Sequence, residues 1–259
     1  MVKFGISTVV MSDKDVFCSI EIIRKSSFKF IEIRCEKGHF NYEDIKEIKK
    51  LKATLKKNAL TCSSLHPPLW VNIAAKEEWE RMRSVREVEK IILVANRLGV
   101  PIVILHPGRG AGNIETSYLS LEEILDFAKE WRVQIVLENT FLGNFASHFS
   151  EFQAISNKFD VHLCIDTSHA NAKEDQLDKF LEAFDGRIKH FHLSDSRMEG
   201  RDDHLIPYEG KINWKPITEF LNKSDGFAIF EILPRENFYP EGSDYIIRKL
   251  DEIKTRWEK

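Results

Sequence analysis

The sequence predicts a (β/α)8 barrel, and three observations carry that expectation. Eight short runs rich in β-branched and aromatic residues recur along the chain, longer charged amphipathic stretches separate them, and composition shows no break across 259 residues. Strand–helix alternation demands a parallel sheet, and eight such units at about 250 residues fit a closed barrel better than an open doubly wound sheet. Residues 1–259 are therefore expected to form one domain.

In chain order the strands are expected at 3–7, 28–34, 60–65, 101–105, 133–137, 161–165, 188–193 and 227–232. The intervening helices are expected at 14–26, 42–57, 77–98, 118–131, 147–158, 173–184, 215–223 and 241–257. The clearest is the third, where Met82, Val85, Val88, Ile91, Ile92, Ala95 and Leu98 recur at helical spacing among charged neighbours. Asp13, Asn41 and Ser120 stand where N-caps are expected. Gly108-Arg109-Gly110-Ala111-Gly112 follows a strand but lacks the helix-opening spacing and Lys-Ser/Thr ending of a phosphate loop, so it reads as a turn-rich connection.

Composition sets the broad class. With 42% apolar and 31% charged residues and 18 Phe, the chain has the core material of a globular protein. No basic start precedes an apolar leader, and apolar stretches fall far short of the roughly 20 residues that cross a bilayer, so a cytoplasmic protein is expected. A formal charge of −3 supplies no global basic field for nucleic acid, although local patches decide such contacts. Cys18, Cys35, Cys62 and Cys164 form no C-x-x-C pair and are expected as core thiols.

Chemistry gathers at the strand ends. His66, His106, Glu138 and Asp166 close the third to sixth strands, while His192 and Glu231 lie near the ends of the seventh and eighth. His169 follows Asp166 by three residues, and Asp202-Asp203-His204 lies in the loop after the seventh strand. The C-terminal strand ends of a barrel converge on one mouth, so these residues can share a metal site. Imidazoles and carboxylates suit Zn²⁺ and also Mn²⁺. A single strand-end His is more often an ordinary hydrogen-bonded residue; nine co-located candidates make coincidence the weaker explanation.

Strand periodicity refines the set. His162, Cys164 and Asp166 share one face, as do His190 and His192, with Asp166 and His192 nearer the mouth. His162 is expected lower in the core, and His190 is divided between supporting a ligand and simple packing. His39 and His148 are expected at the surface. Glu32 and Arg34 share an inward period, as a buried pair steering substrate, a carboxylate acting in acid/base work, or a self-satisfied charged plug. Arg109 and Arg197 lie in loops beside the mouth, where a guanidinium fork suits phosphate.

The ordered motifs Leu65-His66-Pro67-Pro68, Leu105-His106-Pro107-Gly108, Leu137-Glu138-Asn139-Thr140, Asp166-Thr167-Ser168-His169, His192-Leu193-Ser194-Asp195, Asp202-Asp203-His204 and Phe230-Glu231 resemble the endonuclease IV family, within the xylose isomerase-like barrel superfamily. That resemblance spans nearly the whole chain. It implies one zinc on His66, His106 and Glu138, a second on Glu138, Asp166, His192 and Glu231, and a third on His169, Asp202 and His204. It further implies damaged DNA as partner and cleavage at abasic sites, with Glu138, Asp166, His192 and Glu231 at the reaction centre. Departures occur at Leu69, where the family has Tyr, at Ser168, at Asp203 and in the 207–210 turn. Trp70, Arg34, Arg109 and Arg197 are the candidate substrate contacts.

A second reading keeps the same quartet for one ion. Relatives in that superfamily isomerise or epimerise sugars and sugar phosphates, and there Glu138, Asp166, His192 and Glu231 resemble a single Mn²⁺ or Mg²⁺ site. Glu138 or Glu231 would then move the proton and His169 would orient the substrate. A noncatalytic, metal-stabilised binding protein ranks last, since structural sites close their shell with few ligands. Either enzyme is compatible with an oligomer.

Overall fold

The computed structural model describes residues 1–172 and 176–258. Its strands β1 (Lys3–Ser7), β2 (Phe30–Arg34), β3 (Thr61–His66), β4 (Ile102–Leu105), β5 (Gln134–Glu138), β6 (His162–Asp166), β7 (Ile188–Leu193) and β8 (Phe227–Phe230) are parallel. They close in sequence order, β8 pairing back onto β1. The helices are α1 (Val16–Ile23), α2 (Ile45–Lys57), α3 (Glu78–Leu98), α4 (Ile114–Glu130), α5 (Phe149–Phe159), α6 (Thr167–Ala170), α7 (Leu177–Ala183), α8 (Trp214–Leu221) and α9 (Ser243–Trp257). A 3₁₀ turn over Thr8–Met11 and the four-residue α6 were not foreseen; both are too short for periodicity to register. Of the helix expected at 173–184, residues 173–175 lie outside those described. Among the described residues no helix is long and apolar enough to cross a membrane.

Local chemistry explains the element ends. On α3, Val85, Val88, Ile91, Ile92 and Ala95 are buried against the strands, and the helix stops at Gly99, whose φ of 79° favours glycine. The expected caps shift by a few residues. Asp15, not Asp13, accepts from the amides of Phe17 and Cys18 at 2.8 and 2.9 Å, while Asp44, not Asn41, accepts from Lys46 at 2.8 Å. Asn113 caps α4 through Thr116 N at 3.0 Å. That start leaves Ser120 inside the helix, buried and donating to the Ile73 carbonyl at 2.8 Å.

Two apolar layers result. The larger lies between strands and helices; the smaller fills the barrel with Ile102, Ile104, Val136 and Cys164. Cys18 departs from expectation by lying exposed, on the outer side of α1, whereas the other three thiols are buried. His39 is also a correction: it is buried, with Nδ1 2.6 Å from the Lys14 carbonyl and Nε2 2.9 Å from Thr8 Oγ1. The β2–α2 loop folds back over the 3₁₀ turn and takes His39 with it. His148 is exposed. The glycines at 108 and 112 serve packing, since a Cβ there would lie 2.4 Å from Ala74 Cβ and 2.6 Å from Phe145 Cγ respectively.

Candidate metal centre

Six strands deliver a polar residue to one mouth. His66, Glu138 and Asp166 end β3, β5 and β6, His106 and Glu231 follow β4 and β8 by one position, and His192 is next to last in β7. The pleat brings them inward because each stands an even number of residues from a core-facing neighbour: Ser64 below His66, Cys164 below Asp166 and His190 below His192.

The nine candidates form three overlapping groups. In the first, His66 Nε2 and His106 Nε2 stand 3.3 and 3.4 Å from Glu138 Oε2. In the second, His192 Nδ1 lies 2.9 Å from Glu138 Oε1 and 3.1 Å from Glu231 Oε2, with Asp166 alongside. The third joins Asp166, His169 and His204, and Asp202 Oδ1 approaches His204 Nε2 at 2.9 Å and His169 Nε2 at 3.5 Å. Glu138 belongs to two groups through different oxygens, and Asp166 also belongs to two.

These donors fit a divalent ion. Glu138 Oε2, Asp166 Oδ2 and Asp202 Oδ1 are buried and accept no hydrogen bond, although imidazole nitrogens face each of them. Such near but misaligned pairs suit a cation between them, because ligands about 2.1 Å from a tetrahedral zinc stand about 3.4 Å apart.

Neighbouring groups orient the rings. His66 Nδ1 lies 2.7 Å from the Pro67 carbonyl, His169 Nδ1 2.9 Å from the Asn139 carbonyl and His204 Nδ1 2.9 Å from the Glu231 carbonyl. Each contact occupies Nδ1 and leaves Nε2 facing the centre. Asn139 also donates to the Asp166 carbonyl at 3.0 Å and accepts the Asp166 amide at 2.7 Å, locking β5 to β6. Sequence reasoning passed over Asn139; its place directly after Glu138 was the available signal.

The loop after β7 is held by two acidic brackets. Buried Asp195 accepts from Ser196 N, Tyr208 N, Ile212 N and the Trp214 indole at 2.8, 2.8, 3.1 and 2.9 Å. Gly210 passes so close that a Cβ would lie 2.3 Å from Asp195 Oδ1. Asp203, fully buried, takes the Arg197 guanidinium at 2.7 Å and its amide at 3.0 Å. Between these brackets Asp202 and His204 reach the centre, His204 in a left-handed conformation with φ 46°.

Electrostatics follow the geometry. Burial pushes His106 down to about 4, so its imidazole is neutral. Burial opposes charge on His169 too, but Asp166 and Asp202 outweigh it and lift that group to about 9. Burial raises Asp166, only partly offset by His169 and His204. Glu138 is held well below the carboxylate range because His106 and His192 overcome its burial.

The remaining candidates fall in different places. Arg34 lines the mouth beside Glu138, His169 and Glu231, and its buried Nε has no hydrogen-bond partner. It is not paired with Glu32, which lies one tier deeper and bonds Ser64 and His192; Arg34 approaches Glu36 at 3.8 Å instead. Arg109 lines a cavity of about 170 Å³ with His66, Leu69, His106, Phe141 and His169, and braces the Leu69 carbonyl. Leu69 faces that cavity, whereas Trp70 is half-buried under the Arg83 guanidinium at 4.2 Å. The structure commits Arg197 to Asp203. His190 is fully buried beneath His192, 3.2 Å from Glu32, and His162 is half-buried at the start of β6.

Comparison with known proteins agrees with this architecture. Residues 20–249 match the family model described as xylose isomerase-like TIM barrel, and the chain belongs to that family. A probable endonuclease 4 from Halothermothrix orenii is 29% identical over 203 residues, covering 68% of this chain and 72% of that protein. The crystal structure of a D-tagatose 3-epimerase-like protein superposes with a TM-score of 0.80 at 25% identity, covering 98% of this chain and 99% of the other. IOLI protein, solved with a bound zinc atom, shares the fold at a TM-score of 0.85 and 18% identity, over 99% and 98% of the two chains.

Proposed function

We propose that this chain is a divalent-metal-dependent phosphodiester hydrolase, with abasic-site DNA as its first candidate substrate. One observation carries the reading: nine ligand-type residues gather in three overlapping groups. A one-ion site needs only Glu138, Asp166, His192 and Glu231, with His169 to orient the substrate, which would leave His66, His106, Asp202 and His204 without a task. The likeness to a probable endonuclease 4 supports the same choice.

The residues present fit up to three zinc ions: His66, His106 and Glu138 for one, Glu138, Asp166, His192 and Glu231 for the next, and His169, Asp202 and His204 for the last. Bound there, such ions supply Lewis-acid activation of water and neutralise charge on the phosphoryl oxygens. The chain's own groups do the rest. Arg34, with its unpartnered Nε, offers a guanidinium fork to a nonbridging oxygen at the mouth. Arg109 and Phe141 line the adjoining cavity of about 170 Å³, where a sugar-sized group could sit. A duplex would present its sugar phosphate there out of the stack. Hydrolysis adds water across one P–O bond, leaving a phosphomonoester and an alcohol, and requires no side-chain nucleophile.

Sugar or sugar-phosphate epimerisation is the second reading, favoured by the full-length likeness to the D-tagatose 3-epimerase-like structure. It assigns one Mn²⁺ or Mg²⁺ to the quartet, with Glu138 and Glu231 moving the proton. Incubating fully metallated protein with an abasic duplex and, separately, with ketoses and their phosphates decides between them. Chelator-sensitive incision is expected; conversion of a ketose without incision refutes the hydrolase.

A further inference from the structure

Beneath the mouth lies a second polar tier that the proposed chemistry does not use. Glu32, Ser64, Cys164 and His190 are all buried inside the barrel, each two residues before a mouth residue: Arg34, His66, Asp166 and His192. Two strand irregularities bring this tier into line. Between β2 and β3 the register shifts so that Glu32 pairs with Ser64, and between β6 and β7 it shifts so that Cys164 pairs with His190. Shifts of this kind re-aim side chains near functional sites.

Glu32 Oε2 is the hub of the tier. Ser64 Oγ donates to it at 2.7 Å, His190 Nε2 lies 3.2 Å away, and His192 Nε2 stands at 3.1 Å. The same His192 ring turns its other nitrogen to the centre, Nδ1 lying 2.9 Å from Glu138 Oε1 and 3.1 Å from Glu231 Oε2. One imidazole thus bridges a fully buried carboxylate and the metal quartet. Leaving Glu32 Oε1 without any partner inside the barrel is costly, which a purely structural residue at this position would have no reason to bear.

We propose that Glu32 is a positioning residue for the metal centre: its carboxylate accepts the His192 Nε2 proton and so holds the ring with Nδ1 toward the ion of the quartet. A carboxylate on the far nitrogen fixes the tautomer and makes the ligating nitrogen a better donor. Ser64 fixes the carboxylate in turn. This inference rests on the metal reading of the site and adds to it a residue outside the nine.

Glu32→Gln keeps the volume and an acceptor but removes the charge. Zinc affinity, measured by competition with a chromophoric chelator, is expected to fall about 10–100-fold, the usual effect of losing such a partner. Thermal stability of the metal-free variant is expected to fall as well, since His190 and His192 lose the buried carboxylate they face. Unchanged affinity in a folded Glu32→Gln protein overturns the proposal, as does lower metal-free stability with affinity retained. Should the variant not fold, imidazole ¹⁵N spectra of the zinc-loaded wild type decide the matter. Protonated Nε2 and metal-bound Nδ1 on His192 are expected; the reverse assignment overturns it. Wild-type protein that binds no zinc refutes the centre itself, a result distinct from tight wild-type binding that Glu32→Gln leaves intact.

Discussion

Loading the metal-free chain with zinc at pH 7 should expel protons into the buffer. His169 is the group that sets the scale. Asp166 and Asp202 overcome its burial and hold it near 9, so at pH 7 its ring is protonated, whereas a ligating imidazole must be neutral. His66 and His204 are raised as well, despite burial, by their carboxylate neighbours, and His192 by Cys164 together with Glu138, Glu231 and Glu32, and all three add to the release. His106, at about 4, is already neutral and contributes nothing. At least about one proton per chain is therefore expected, and zinc affinity should weaken about tenfold per pH unit per proton released below pH 9. The metal-free fold has the opposite dependence. The folded-state value of His169 lies above its unfolded value near 6.5, so its pairing stabilises fully below 6.5 and is lost as pH rises through 9, about 3 kcal/mol in all. Titration calorimetry in buffers of different ionisation enthalpy measures the release, and thermal melts of the metal-free protein from pH 6 to 9.5 measure the stability term. Binding heat that is independent of buffer, or metal-free stability that rises with pH across this window, refutes the electrostatic reasoning.

Other perturbations follow from single contacts. Glu138→Gln removes the carboxylate shared by two groups, so metal analysis should show at least two ions lost together, with activity down at least about 100-fold. Asp195→Ala strands four donors and should cost about 3–5 kcal/mol, seen as a melting point lower by roughly 10 °C. Arg197→Ala leaves Asp203 buried without its partner; metal titration should show the ion of His169, Asp202 and His204 weakened, with KM for substrate changing little. Stripping the metal should lower the melting temperature by about 5–10 °C, because a ligand at 100 times its Kd contributes about 2.7 kcal/mol, as calorimetry with and without chelator will measure.

The barrel was legible because its signals are local and repeated. Strand and helix runs differ in period, and β1 and β7 fall on their expected boundaries. The cap positions of α1, α2 and α4 were misplaced because Asp, Asn and Ser occur in series there, and only backbone geometry selects which side chain reaches an amide. Strand ends also pointed to the mouth, since barrel topology makes distant strand ends neighbours. Depth within the barrel was legible on β6 and β7, where Asp166 and His192 were expected nearer the mouth, but not on β2. Glu32 and Arg34 share a face and read as a pair, yet two residues along the strand set them one tier apart, Glu32 beside Ser64 and His192 and Arg34 at the rim. Arg197 reads as a free cation because its partner, six residues away, returns through an irregular loop. Burial of His39 was hidden for the same reason, depending on the path of a loop and not on any period.

On the proposed reading, nine residues at the barrel mouth hold several metal ions. Metal analysis of protein purified without chelator, joined to anomalous diffraction at the zinc edge, tests it most directly. About three ions per chain are expected, one bounded by His66, His106 and Glu138, one by the quartet, and one by His169, Asp202 and His204. A single Mn²⁺ or Mg²⁺ confined to Glu138, Asp166, His192 and Glu231 would contradict it.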